Sequence, residues 1–251
     1  MRKTIIRQVM FIFVSGSLAI PTAHAAIALD RTRIIFDGSQ KSESLSITNE
    51  NKKLPYLAQG WLENEKGEKI NNPLMVLPPV QRMEPGERSQ LKIQGLPTVS
   101  TLPQDRESLF YFNLREIPPR ANEPNVLQIA LQTRIKLFYR PQAIMKSANE
   151  METPWQQQIT LIRQGDKYQV MNPTPYYITI IDASRTLKGK TAAGFEALMV
   201  APKSQQRLKG SAAELGNSPV LTYINDYGGR PQLQFHCSGP TCKASVIEQG
   251  S

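Results

Sequence analysis

The sequence predicts an all-β protein of two sandwich domains. Three observations carry this: apolar residues recur at period two, turn residues punctuate them at short intervals, and one polar stretch without periodicity divides the chain. The 3.6-residue apolar period of an amphipathic helix is absent beyond the first 25 residues.

Those first residues are read separately. "MRKTIIRQVMFIFVSGSLAIPTAHA" has a basic start (Arg2, Lys3, Arg7), an apolar stretch around Val9 to Ile20 and a small-x-small end at Ala23-His24-Ala25. That is the layout of a secretory signal peptide, residues 1–25, with the mature chain beginning at Ala26. A membrane anchor is the competing reading, but the apolar run is short and broken by Ser15, Gly16, Ser17 and Pro21. Removing the leader leaves 251 − 25 = 226 residues, which suits two domains of ordinary size.

In the first half, "AIALDRTRIIFDGSQ", "SESLSITNEN", "YLAQGWLEN", "LMVLPPVQRMEPGERSQLKIQGL", "SLFYFNLREIPP" and "VLQIALQTRIKLFYRP" alternate apolar and polar positions. Asp37-Gly38, Asn49-Glu50-Asn51, Glu65-Lys66-Gly67 and Glu84-Pro85-Gly86 mark turns between them. Roughly six or seven strands at this spacing suggest an immunoglobulin-like sandwich, here assigned to residues 26–142. After Arg140-Pro141 comes "QAIMKSANEMETP", polar and aperiodic, and strands then resume with "QQITLIRQGDKYQVMNPTPYYITIIDAS", "FEALMVAPKSQQRLK", "VLTYINDYGG" and "PQLQFHCSG". This is a linker and a second β-domain, assigned to residues 147–248.

One strand stands out. From Leu127 through Ile129, Leu131, Ile135, Leu137 and Tyr139 the odd positions are apolar except Thr133, while Gln128, Gln132, Arg134, Lys136 and Arg140 occupy even ones. The pattern predicts a strand of about 13 residues, twice the usual length. If its edge were open, its unpaired backbone groups would invite another chain to pair. Pattern alone assigns Leu127, Ile129 and Leu131 to their own domain's core.

Cys237 and Cys242 lie five apart in "CSGPTC", and in an exported chain they are expected to form a disulfide closing a small loop. A metal site lacks ligands, since His236 is the only histidine after the leader. The formal charge of +9 becomes 9 − 3 = +6 once the three basic leader residues are removed. Export excludes nucleic acid as the partner of this basic surface, and the aromatics do not interleave with the cations as a stacking platform requires. Carboxylates or anionic membrane fit it better. No G-x-S-x-G, no H-E-x-x-H and no convergent acid pair is present, so no catalytic residue and no cofactor are assigned and the chain is read as a non-enzyme.

Several segments in order carry a more specific likeness: "LDRTR" (29–33), "LPYLAQGW" (54–61), "PPVQRMEPGE" (78–87), "LPQDRESLFYFNLREIPP" (102–119), "LQIALQTRIKLFYRP" (127–141), "NPTPYY" (172–177) and "YINDYGGRP" (223–231). Together they resemble the PapD-like periplasmic pilus chaperones, from Ala26 to about Lys243. The resemblance implies two immunoglobulin-like domains set at an angle around a cleft. It also implies a periplasmic chaperone that holds pilus subunits, pilins and adhesin, by donor-strand complementation and passes them to an outer-membrane usher.

It implies site residues as well. Leu127, Ile129 and Leu131 would be the lent strand, which reverses the assignment made from pattern alone. Arg33 and Lys136 would grip the subunit's C-terminal carboxylate, and Glu107, Arg140 and Asp226 would form an interdomain salt bridge. The short "IPPRANEPN" connection resembles the branch serving rod-like, adhesin-tipped pili. Parity raises a difficulty, because Lys136 is even and the three donor residues are odd. Either the cleft wraps both faces there or a bulge near Gln132 to Arg134 switches them. The exposed edge would also permit a self-capped homodimer. A structural pilus subunit is the rival reading, but it would carry a free donor segment after its leader, and "AIALDRTR" leads at once into a domain strand. Gly60, Met83 and residues 185–194 receive no role.

Overall fold

The computed structural model describes residues 25–121, 126–146 and 154–245; the signal-peptide expectation, apart from Ala25, falls outside them. In the first half the strands are β1 (Ile27–Leu29), β2 (Arg33–Asp37), β3 (Ser42–Asn49), β4 (Tyr56–Glu63), β5 (Lys69–Ile70), β6 (Leu74–Leu77), β7 (Val80–Met83), β8 (Arg88–Gly95), β9 (Ser108–Ile117) and β10 (Gln132–Arg140). They form two sheets, β1-β3-β8-β6 and β2-β10-β9-β4-β5, with β7 also paired to β4. Alternation sends Leu45 and Ile47 of one sheet and Leu62, Phe110, Phe112 and Leu114 of the other into a single core.

Two residues without a sequence role find one here. Met83 is fully buried in that core. A Cβ at Gly60 would lie 3.0 Å from Val76 Cγ1 and 3.2 Å from Leu91 Cδ1, so glycine lets the sheets approach. The expected turns at Gly67 and Gly86 do adopt the left-handed backbone, at φ +81° and +73°.

The second half contains β11 (Thr160–Gln164), β12 (Lys167–Asn172), β13 (Ile178–Ser184), β14 (Leu198–Val200), β15 (Ser204–Arg207), β16 (Val220–Ile224), β17 (Gln232–Ser238) and β18 (Thr241–Ser245). They join in one curled sheet of order β14-β13-β16-β17-β18-β11-β12-β15 around a core of its own, with one helical turn at Ala212–Leu215. Cys237 and Cys242 are register partners on β17 and β18 and are bonded, with Cys242 fully buried. Each half ends a strand with a buried asparagine. Asn49 Nδ2 donates to the carbonyls of Leu54, Met83 and Glu84, and Asn172 Nδ2 to those of Tyr176, Val200 and Ala201. These bonds satisfy buried backbone acceptors that turns would leave unpaired.

Candidate interdomain cleft and open strand edge

β10 is covered unequally. On one side β9 pairs with it from Gln132 to Tyr139. On the other, β2 runs parallel to it only from Lys136, opposite Arg33, to Arg140, opposite Asp37. Gln132 to Ile135 therefore present free backbone groups on that edge. β2 can go no further because Asp30 to Thr32 cross over to β1, which belongs to the other sheet.

Upstream of Gln132 the described residues 126–131 form no strand, contrary to the 13-residue expectation. Leu131 C=O accepts the Glu116 N–H at 3.0 Å, and the Gln128 side chain donates to Pro119 C=O. Leu127, Ile129 and Leu131 are 85%, 64% and 40% exposed. The period-two pattern was real, but half of the ladder that would make it a strand is missing.

Parity resolves without a bulge, since the β9–β10 register is unbroken from Gln132 to Tyr139. Leu137 and Tyr139 are buried in the first core and Ile135 packs against it. Leu131, Ile129 and Leu127 lie upstream of the strand and are exposed, with no regular strand to fix which face they take. Lys136, Phe138 and Arg140 face the other way, toward the second domain: Lys136 Nζ donates to Thr179 Oγ1 (3.3 Å), Phe138 stacks on Tyr177 (5.5 Å between centroids) and Arg140 bonds Asp226. Within β10 the residues that face the first core and the cations thus lie on opposite faces of one strand.

Arg33 and Lys136 meet where the open edge ends. Arg33 is buried; its Nη1 donates to Ile224 C=O at 3.3 Å and its Nε has no partner. Neither cation makes an ion pair among the described residues. Burial, and then the charge of Arg33, push Lys136 down to about 8. Burial also lowers Arg33, against the opposing pull of Asp226 and Glu107. Two desolvated cations without a direct ion-pair partner among the described residues make a site that favours an anion.

Behind them, Arg140 is fully used. Its Nε and Nη2 reach Glu107 Oε1 at 2.8 and 2.7 Å, and Nη1 and Nη2 reach Asp226 at 2.7 and 3.1 Å. Glu107 Oε2 accepts the Tyr177 N–H (2.7 Å), while the Glu107 N–H donates to Pro175 C=O (2.9 Å). The rings of Trp155 and Tyr176 flank the guanidinium, with centroids 5.1 and 4.8 Å away. Burial lifts the Glu107 carboxyl to about 7 against the pull of Arg140. Burial also opposes the charge on Arg140, but Asp226 and Glu107 more than offset it and hold the guanidinium above its ordinary value. Sequence reasoning missed Trp155, Tyr177 and Thr179. Their contacts cross between domains and leave no local signal, although Tyr177 does sit in the quoted "NPTPYY" segment.

Two family descriptions match the chain: "Pili and flagellar-assembly chaperone, PapD N-terminal domain" over residues 26–145, and "Pili assembly chaperone PapD, C-terminal domain" over 154–235. The chain belongs to the PapD family of pilus-assembly chaperones. It is 52% identical over 242 residues to the chaperone protein PapD of Escherichia coli, covering 96% of this chain and 97% of that one. To the chaperone protein PmfD of Proteus mirabilis it is 46% identical, covering 91% and 90%. Among solved structures, the periplasmic chaperone SfaE superposes with a TM-score of 0.66 at 32% identity, covering 83% of this chain and 98% of that one. The SafB chaperone, solved in complex with the SafA pilin of Salmonella enterica, gives 0.67 at 26% identity, covering 86% and 99%.

Proposed function

We propose that this protein is a periplasmic chaperone that completes pilus subunits by lending them β10 and the segment before it, until an outer-membrane usher takes the subunit over. The observation that carries this reading is a strand edge left open from Gln132 to Ile135 and ending at two cations that make no direct ion pair among the described residues.

Charge at the end of the open edge favours one orientation of the guest. A strand added to the open edge lies in line with β2 and stops where β2 begins, at Arg33. Running antiparallel to β10, it would bring a positive N-terminus to Arg33 and Lys136. Running parallel, it brings its C-terminal carboxylate there, which the cations favour. The chain end then sets the register, so that the pockets of an incomplete subunit fall opposite Leu131, Ile129 and Leu127.

Backbone hydrogen bonds supply affinity that ignores the guest's sequence. Burying each of the three exposed side chains contributes about 1.5 to 3 kcal/mol. When pairing with the guest extends β10 as a regular strand, the three residues fall on the core face of the first domain and the guest's core sits end to end with the chaperone's own. The salt bridge of Glu107, Arg140 and Asp226 acts as the strut that keeps the two domains at the distance the cleft needs. Nothing in this arrangement requires a cofactor.

Co-expression with a tagged pilin tests it. A soluble one-to-one complex that disappears in Arg33→Ala and Lys136→Ala, both of which keep the circular dichroism of the parent, supports the anchor. Undiminished pilin recovery would refute it, and polymerisation of the protein itself would favour the structural-subunit alternative. The same open edge would pair two free chaperones, and sedimentation of the guest-free protein reads that out.

A further inference from the structure

The turn Asn225–Gly229 between β16 and β17 contributes more to the cleft than Asp226. Asn225 Oδ1 accepts the N–H of Tyr227 (3.1 Å) and of Gly229 (2.8 Å), and the backbones of Asn225 and Gly229, and of Gly228 and Asn225, bond at 3.0 Å each. Gly228 stands at φ +82°, and a Cβ there would lie 2.7 Å from Thr32 Oγ1 of the first domain. Asp226 is held by Arg140. The backbone around Tyr227 is thus tied down inside the turn and on both flanks.

The side chain is not. Tyr227 is 88% exposed, more than Leu127 at 85%, and its ring makes no contact with another aromatic among the described residues. It lines a groove of about 440 Å³ together with Arg31, Thr32, Arg33, Ile35 and two carboxylates already paired with arginines, Asp30 with Arg31 and Asp226 with Arg140. Ile35 lies two residues beyond Arg33 on β2 and so shares its face. An aromatic ring on a fixed turn and an aliphatic side chain therefore flank the proposed carboxylate anchor.

We infer that Tyr227 is a specificity-determining residue that packs on the last side chains of the captured strand, favouring subunits that end in aromatic or large aliphatic residues. The inference rests on the chain-end anchor proposed above. The carboxylate held by Arg33 and Lys136 brings the terminal and penultimate residues into this groove, and whichever points to the face of Arg33 meets Tyr227 and Ile35. A tyrosine on a fixed backbone has only its own two side-chain torsions to lose on contact, so its area converts efficiently into affinity.

The test uses fluorescein-labelled peptides of alternating Val and Thr with free carboxylates, ending in Phe-Phe or in Gly-Gly. Anisotropy titrations compare the intact protein with Tyr227→Ala, Tyr227→Phe and Arg33→Ala. The parent and Tyr227→Phe are expected to prefer Phe-Phe by about tenfold, and Tyr227→Ala to bind both peptides alike with an unchanged urea midpoint. A preference that survives Tyr227→Ala, or is absent from the parent while Arg33→Ala still abolishes binding, overturns the inference and leaves the anchor standing. If Arg33→Ala binds both peptides as the parent does, the anchor falls and the subsite with it.

Discussion

Residues 136–140 and 126–135 belong to one continuous line of chain and were built to opposite specifications. The first segment has β9 on one side, β2 on the other and the second domain against its even face. The second has β9 on one side for only its last four residues and, among the described residues, no strand on the other. Apolar side chains run through both. In the first they are buried; in the second Leu127, Ile129 and Leu131 stand in solvent. Proteins ordinarily blunt such an edge with charge, proline or a bulge. Here no bulge interrupts the register, the one charge on the open stretch, Arg134, is paired with Glu63, and the two domains are joined at its foot by Arg140. A lent strand needs this division, because a segment that satisfied itself would have nothing to offer and one without a fixed foot would have no register.

Breaking the foot should have the largest effect. Arg140→Ala leaves Glu107 buried without its cation, and removing one partner of a buried pair costs about 3 to 5 kcal/mol. A lowered urea midpoint and a wider domain angle in small-angle scattering are expected, and a midpoint equal to the parent's would show that the bridge carries no load.

Lys136→Met should sharpen the contrast by moving stability and function in opposite directions. The lowered proton affinity of Lys136 means that its charge opposes folding. Because Lys136 is only partly buried, screening leaves about 1 kcal/mol to be regained. The free protein is expected to gain stability while pilin capture is lost; a loss of both would make Lys136 a structural residue.

A smaller effect follows from pH. With a folded value of about 8 against an ordinary value near 10.4, the native state gives up the Lys136 proton first. Between those limits the unfolded chain binds more protons, so the stability of the free protein rises with pH across that window. Affinity for a carboxylate-ended peptide moves the other way and falls as pH rises through about 8. Lys136→Arg should hold affinity to higher pH, and identical profiles for the two proteins would dissociate Lys136 from the anchor.

The all-β class was legible because alternation and turn residues are local. Met83 and the glycines at 60, 67 and 86 lie in or between the segments that read as strands and turns. Strand length was misjudged for an instructive reason: period two records which residues are made to lie in a sheet, and residues 127–131 are made for a sheet that one molecule does not complete. Pattern likewise could not say whose core Leu127, Ile129 and Leu131 face, since their row is continuous with the chaperone's own. The charged residues carried no local signal. Arg33 and Lys136 are isolated cations in strands, and Asp226 stands 86 residues from Arg140; family likeness, not periodicity, singled them out. The curling of the second half into one sheet depends on which edges meet, which alternation does not encode.

The most direct measurement is the urea midpoint of Leu131→Glu without any partner, read beside its recovery with a co-expressed pilin. Leu131 sits at the junction of the two segments, 40% exposed. If the odd row leaves the sandwich there, a glutamate meets water and the midpoint shifts by no more than about 0.5 kcal/mol. In the complex the same carboxylate enters an apolar groove, at a cost of several kcal/mol where no partner charge is near, and pilin recovery is lost. A midpoint that collapses before any pilin is present would mean that Leu131 belongs to the chaperone's own core and that the strand is not lent.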